Sequence, residues 1–98
     1  MATVPATKMT YRFLGNTGLL VSKISLGAFM HIDERCSQET WDALMEYAFD
    51  QGVNFFDNSE FYGPPRGESE RIVGNTIKKG IANGKWSRED LVITTKIF

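Results

Sequence analysis

Two stretches of the sequence constrain the fold most, NFFD at residues 54–57 and LVITT at residues 91–95. Each contains consecutive apolar residues, Phe55 and Phe56 in the first and Leu91 to Ile93 in the second, without the alternation of polar and apolar residues that marks a strand with one solvent-facing side. Strands of this kind are usually buried on both faces, in a parallel sheet covered by helices. Leu91 to Ile97 is therefore predicted to be a strand that needs neighbours on both sides.

A helix is predicted between Ser37, which suits the N-cap position, and about Gln51. Gly52 follows where a helix-terminating glycine belongs. The apolar residues of this segment recur at helical spacing and predict one buried face: Trp41, Leu44, Met45 and Ala48. The periodicity indicates packing against the core and gives no sign of a cofactor site.

A second helix is predicted from Glu68 to about Lys79, with acidic residues first and basic residues last. Its inner face is predicted to comprise Ile72, Val73, Thr76 and Ile77. The sequence GPPRG interrupts the chain before this helix, and GIANGKWSRED is predicted to connect it to the last strand.

The amino-terminal part is predicted to begin with a loose terminus, residues 1–10, followed by a β-hairpin around Gly15 and Gly18. A short strand, Ile24 to Leu26, then leads into Gly27. The order hairpin, strand, helix, strand, helix, strand favours two βαβ units and a parallel sheet in one small α/β domain.

The overall composition excludes several classes of function. Eleven basic and twelve acidic residues give a net charge of -1, which provides no reason to expect nucleic acid or an anionic membrane as partner. The lone cysteine, Cys36, excludes an internal disulfide and a cysteine-based metal cluster, so no metal is expected. No apolar stretch resembles a signal peptide or a membrane span, and a cytoplasmic location is predicted.

Ligands of parallel α/β folds bind at the carboxyl ends of the strands. This chain places Gly27, Asp57 and Lys96 at or near the three strand ends, with Tyr62 just beyond the second. A free phenol has a pKa of about 10. A nearby lysine cation favours the phenolate, and a carboxylate would keep that lysine charged and oriented. The set suits proton donation to a carbonyl oxygen while a hydride reaches its carbon.

Each of these residues also has an ordinary structural interpretation. Asp57 before Asn58 and Ser59 can be a turn or cap residue, Tyr62 can be a loop aromatic that covers the core, and Lys96 can lie at an exposed strand end. His31 is interpreted as a surface residue and Cys36 as inert.

Three blocks in order, YRFLGNTGLLVSKISLGAF, NFFDNSEFYG with GESERIVGNTIKK, and LVITTKIF, resemble the amino-terminal third of an aldo-keto reductase. The resemblance covers residues 11–98 and is strongest to the branch that contains the β-subunits of voltage-gated potassium channels. It implies a (β/α)8 TIM barrel whose base is closed by a hairpin, and reduction of aldehydes and ketones with NADPH.

The resemblance implies that Tyr62 is the general acid and that Lys96 and Asp57 lower its pKa and position it. It further implies that Asp57 lies near the nicotinamide ribose and that Gly27, Ala28 and Phe29 meet the nicotinamide end of NADPH. Arg35 is placed at a cofactor-contacting position. The chain departs from the branch where Ala28-Phe29 replace Thr-Trp, where Asn58-Ser59 replace Thr-Ala, and in a longer interval from Tyr62 to Lys96.

A complete barrel needs about 250 residues, so residues 11–98 are expected to form an incomplete barrel: the hairpin, three strands and two helices, truncated after the third barrel strand. The resemblance places the fourth catalytic residue and most of the adenosine and phosphate sites in later units, so the chain alone is expected to bind NADPH poorly and to be inactive. Two alternatives stay open, a potassium-channel accessory subunit that binds a channel cytoplasmic domain, and a short interaction fragment.

Overall fold

Residues 8–28, 37–63 and 65–97 are described by the computed structural model, and they form two small sheets, two α-helices and a short 3-10 helix, Arg88–Asp90. The loose terminus predicted for residues 1–10 lies mostly outside this range, and residues 8–10 have no regular secondary structure. Two residues predicted to contact a cofactor, Phe29 and Arg35, also lie outside the described residues.

The predicted hairpin is confirmed. Strands β1 (Tyr11–Phe13) and β2 (Leu20–Ser22) pair antiparallel. The turn is closed by a hydrogen bond of 2.8 Å from the backbone N–H of Leu14 to the carbonyl of Leu19. Gly15 has a φ of 60°, a left-handed conformation that glycine adopts without steric cost.

The second sheet is parallel, in the order β3 (Leu26–Gly27), β4 (Phe55–Asp57) and β5 (Val92–Thr94). Its register places Gly27, Asp57 and Thr94 side by side at the carboxyl ends of the three strands. The segments that follow β4 and β5 also pair with each other, since the N–H of Glu60 donates to the carbonyl of Lys96 at 3.2 Å.

Helix α1 (Gln38–Asp50) begins as predicted, with Ser37 as N-cap accepting a hydrogen bond of 3.2 Å from the N–H of Thr40. Gly52, at φ 98°, follows its end. Helix α2 (Glu68–Ala82) starts at the predicted residue and ends three residues beyond the predicted end. No described helix is both long and apolar enough to cross a membrane.

The core lies between the two helices and one face of the parallel sheet. Trp41 and Met45 of α1 and Phe56 of β4 are almost fully buried there. The remaining members of the cluster come from α2 and the connecting segments: Ala28, Val53, Ile72, Val73, Trp86 and Leu91. Trp86 packs edge-on against Phe49, with ring centroids 5.2 Å apart.

Three predicted boundaries were wrong. The strand predicted at Ile24 to Leu26 is Leu26–Gly27, and Ile24 is 65% exposed. Helix α2 continues past Lys79 to Ala82, and Gly80 within it packs against the indole of Trp86, which a Cβ would meet at 2.2 Å. The strand predicted at Leu91 to Ile97 is only Val92–Thr94, although the N–H groups of Asn58 and Glu60 continue the pairing to the carbonyls of Thr94 and Lys96.

Burial of the central strand on both faces is only half confirmed. Phe56 is 2% exposed, whereas its neighbours Phe55 and Asp57 are partly exposed. Adjacent residues of a strand point to opposite faces, so the helices cover the Phe56 face and leave the Asp57 face open among the described residues.

Candidate active site

Asp57 lies at the centre of the site, as the last residue of the middle strand. Its side chain is 43% exposed and lies on the sheet face that the helices do not cover. The carboxylate accepts two hydrogen bonds from the neighbouring strand segment, one of 2.6 Å from the hydroxyl of Thr94 to Oδ1 and one of 3.0 Å from Nζ of Lys96 to Oδ2. Each carboxylate oxygen thus has its own donor.

These donors set the ionisation of Asp57. Partial burial by itself would raise the pKa of the carboxyl group, but the hydrogen bonds from Thr94 and Lys96 outweigh it and hold the pKa below its usual range. Asp57 is therefore a stable anion at neutral pH.

Lys96 is held by more than one partner. Besides the Asp57 carboxylate, its ammonium donates a hydrogen bond of 2.6 Å to the backbone carbonyl of Asn58. It also lies 4.9 Å from the centroid of the Tyr62 ring. Hydrogen bonding to Asp57 is the largest cause, and hydrogen bonding to Tyr62 the second, that raises the pKa of Lys96 above its ordinary value. The lysine is a fixed cation beside the phenol.

Tyr62 lies in the loop between β4 and α2, and its backbone is tied at both ends. Its N–H donates to the carbonyl of Ser59 at 3.2 Å, and its own carbonyl accepts from the N–H of Gly67 at 3.1 Å. These hydrogen bonds hold the half-buried Tyr62 ring against Lys96. The structure brings Asp57, Tyr62 and Lys96 together, as the sequence predicted.

A buried hydrogen-bonded pair, Asn58 and Ser69, lies next to these residues and was not predicted from the sequence. Asn58 and Ser69 are 3% and 0% exposed, and the Ser69 hydroxyl donates to Asn58 Oδ1 at 2.6 Å. The same oxygen accepts the N–H of Ser59 at 2.9 Å. The pair joins the first turn of α2 to the residue whose carbonyl holds Lys96.

Thr94 was also missed, although a signal was present. Residues two apart in a strand share a face, so a threonine two positions before the predicted catalytic lysine could have been assigned to the same cluster. The buried Asn58–Ser69 pair has no comparable signal, because it joins a loop to a helix eleven residues away.

The residues predicted to contact the cofactor are only partly described. Gly27 lies at the same rim. Ala28 follows it, but its side chain is only 1% exposed and belongs to the core, so the predicted cofactor contact is not available to that side chain. The N–H of Ala28 donates to the Asp57 carbonyl at 3.1 Å. A methyl group built on Gly27 would meet no described atom within 4 Å. Phe29 and Arg35 are not among the described residues.

Among the described residues there is room beside Gly27 for part of a ligand. Open space at Gly27 adjoins the anionic Asp57, whereas the described cation at the rim, Lys96, is already held by Asp57 and Asn58. Within residues 8–28, 37–63 and 65–97, no group of three acidic, histidine or cysteine side chains could hold a metal ion.

Two comparisons with known proteins bear on this site. Residues 23–98 match the model of the aldo/keto reductase family. A crystal structure of a protein from Pseudomonas aeruginosa, assigned to the aldo-keto reductases, superposes with a TM-score of 0.68 at 31% identity. The alignment covers 89% of this chain and 30% of the other, so the chain spans less than a third of that protein's length.

Proposed function

This chain belongs to the aldo-keto reductase family, and from that premise we propose that it carries the proton-donating part of an NADPH-dependent carbonyl reductase. In this proposal Tyr62 is the acid, Lys96 its cationic neighbour and Asp57 the anion that keeps the lysine charged and in place. The substrates are small aldehydes and ketones.

The observation that carries the proposal is the position of the Lys96 ammonium, 3.0 Å from the Asp57 carboxylate and 4.9 Å from the centre of the Tyr62 ring. A cation at that position stabilises the phenolate that remains when Tyr62 gives up its proton. NADPH, when bound, supplies the hydride to the carbonyl carbon, and Tyr62 protonates the oxygen.

The nicotinamide site in this proposal is formed by Gly27 and Asp57, with Phe29 and Arg35 as further contacts, whereas the side chain of Ala28 belongs to the core. Because the chain spans 30% of the length of the similar Pseudomonas protein, we propose that it supplies these groups to a complete barrel. The remaining units would supply the other catalytic group, most of the NADPH contacts and the exclusion of water. Turnover and tight NADPH binding are assigned to that complete protein.

The test is Tyr62→Phe, introduced into the gene for the native protein that carries this sequence. Both forms are captured from the source with an antibody against residues 8–97. Turnover is followed by NADPH oxidation with an aromatic aldehyde, and NADPH binding by its fluorescence. We expect kcat to fall by roughly 100-fold or more, since general acid catalysis typically contributes that much, with NADPH binding nearly unchanged.

The matched control is Tyr47→Phe, because Tyr47 is a 67% exposed tyrosine on α1, away from the rim. Its turnover should equal that of the unsubstituted protein. A Tyr62→Phe protein that turns over at the normal rate would overturn the proposal.

The finer assignment to the potassium-channel β-subunit branch implies a second role, in which the same rim binds NADPH as a redox sensor within a cytoplasmic channel complex. Capture of the native protein from its source should then co-purify a channel cytoplasmic domain. Capture without any channel, alongside normal carbonyl reduction, would exclude that role.

A further inference from the structure

The Thr94 hydroxyl occupies a position that the proposed reaction does not yet explain. It lies on the strand adjacent to Asp57, in direct register with it. Its oxygen is 2.6 Å from Asp57 Oδ1 and 3.5 Å from the carbonyl oxygen of Phe56. A hydroxyl has one hydrogen to donate, and the short contact to the charged carboxylate is the stronger of the two.

That hydrogen bond determines how the carboxylate faces Lys96. The terminal torsion of an aspartate side chain is broad and weakly restrained by itself. With Oδ1 bound to Thr94, Oδ2 is directed to Lys96 Nζ at 3.0 Å. Without the hydroxyl, the carboxylate could rotate, and the lysine would keep only the Asn58 carbonyl, at 2.6 Å, as an unchanged acceptor.

Asn58, by contrast, is fixed independently of Thr94's side chain. Its side chain is buried and accepts from Ser69, and its backbone N–H donates to the Thr94 carbonyl at 2.9 Å. Loss of the Thr94 hydroxyl should therefore disturb the Asp57 end of the lysine's contacts and leave the Asn58 end in place.

We propose that Thr94 is a positioning residue of the site, whose hydroxyl orients the Asp57 carboxylate so that Lys96 is held against Tyr62. Its catalytic consequence rests on the proposed function, whereas its effect on Asp57 does not.

The experiment compares Thr94→Val, which keeps the shape and removes the hydroxyl, with Thr94→Ser, which restores it. The matched control is Thr95→Val. Thr95 is the next residue, and its hydroxyl donates to Glu70 at 2.5 Å, away from Asp57. Each variant is made in the native protein that carries this sequence, and the Asp57 side-chain carboxyl is titrated by carbon-13 NMR.

The expected result is a higher pKa of Asp57 in Thr94→Val, since a hydrogen bond that favours the anion is lost. Thr94→Ser and Thr95→Val should titrate like the unsubstituted chain. An Asp57 titration that Thr94→Val leaves unchanged would overturn the proposal. Should the valine chain give a collapsed spectrum, Thr94→Ala serves as the second hydroxyl-free variant and is judged by the same criterion.

Turnover of the native protein separates this inference from the proposed function. We expect Thr94→Val to lower kcat roughly tenfold with little change in KM, because the loss is one of orientation. Rescue of turnover by serine, together with a normal Asp57 titration in the valine variant, would contradict orientation through Asp57. Absence of carbonyl reduction in the unsubstituted protein would overturn the proposed function, while the titration still decides the role of Thr94.

Discussion

Two clusters of this molecule use the same three types of side chain. At the rim, Asp57 accepts hydrogen bonds from the hydroxyl of Thr94 and the ammonium of Lys96. Between the helices, Asp42 accepts from the hydroxyl of Thr76 at 2.5 Å and the ammonium of Lys79 at 2.8 Å. An aspartate, a threonine and a lysine thus meet twice within the described residues.

The two clusters differ in what surrounds them. Gln38 adds a third donor to Asp42, at 2.9 Å, and also bonds Thr76 and the carbonyl of Ile72, so that α1 and α2 are joined. Asp42 is only 17% exposed and Thr76 1%. In the helix cluster, the side chains bond to one another, and within the described structure no phenol lies beside its lysine.

The rim cluster has Tyr62 beside its lysine and, as far as the described residues go, open space beside Gly27. Asp57 is 43% exposed, more than twice as much as Asp42. An Asp–Thr–Lys set is therefore not by itself a catalytic signature. The rim differs from the helix cluster in two respects, a phenol next to the lysine and room for a ligand.

The largest expected effect separates the two lysines. Lys96→Met in the native protein should lower kcat for aldehyde reduction by roughly 100-fold or more, because it removes the cation beside the proposed acid. Lys79→Met should leave kcat within about twofold, since Lys79 belongs to the helix cluster and is 54% exposed.

Steady-state kinetics with NADPH and one aromatic aldehyde measures both variants. Equal losses of turnover would erase the distinction drawn between the clusters, and a normal Lys96→Met enzyme would remove the lysine from the mechanism.

A smaller effect is expected on stability, and here the substitution in the helix cluster should cost more than the one at the rim. Asp42→Asn should lower the free energy of unfolding by about 1–2 kcal/mol at pH 7, because hydrogen bonds to a charged, largely buried acceptor are weakened. Asp57→Asn should cost less, since that carboxylate is more exposed. Urea unfolding of the 98-residue chain measures both.

The pH dependence of this loss provides its control. Burial raises the pKa of Asp42, but hydrogen bonds from Lys79, Thr76 and Gln38 outweigh it and hold the pKa below the ordinary 3.8. A lowered folded-state pKa gives stability that is present above 3.8 and is lost as the pH falls through the folded value. The difference between the unsubstituted and Asp42→Asn chains should therefore shrink in acid. A constant difference would mean that the charge of Asp42 is not its source.

Much of the scaffold could be predicted because its signals are local. The Ser37 cap, the apolar face with Trp41 and Met45, and the terminating Gly52 each depend on residues within one or two turns. Strand limits were less predictable, because they depend on hydrogen bonds to segments that are distant in the sequence. Lys96 consequently lies beyond the regular strand in which it was placed.

The proximity of Asp57, Tyr62 and Lys96 could be predicted, but the contacts around them less well. Asp57, Tyr62 and Lys96 follow from the rule that ligands bind at strand ends, together with a family resemblance. The contribution of Thr94 depends on strand register, and that of Asn58 and Ser69 on burial of a loop against a helix. Neither property is encoded by a short motif.

In the proposed mechanism, Asp57 and Lys96 act as one unit on Tyr62. A double-mutant cycle on kcat tests this coupling most directly, with Asp57→Asn, Lys96→Met and the double variant of the native protein measured under one set of conditions. We expect the double variant to be no slower than Lys96→Met alone, because the aspartate acts through the lysine. A double variant slowed by the full product of the two single losses would contradict the coupling.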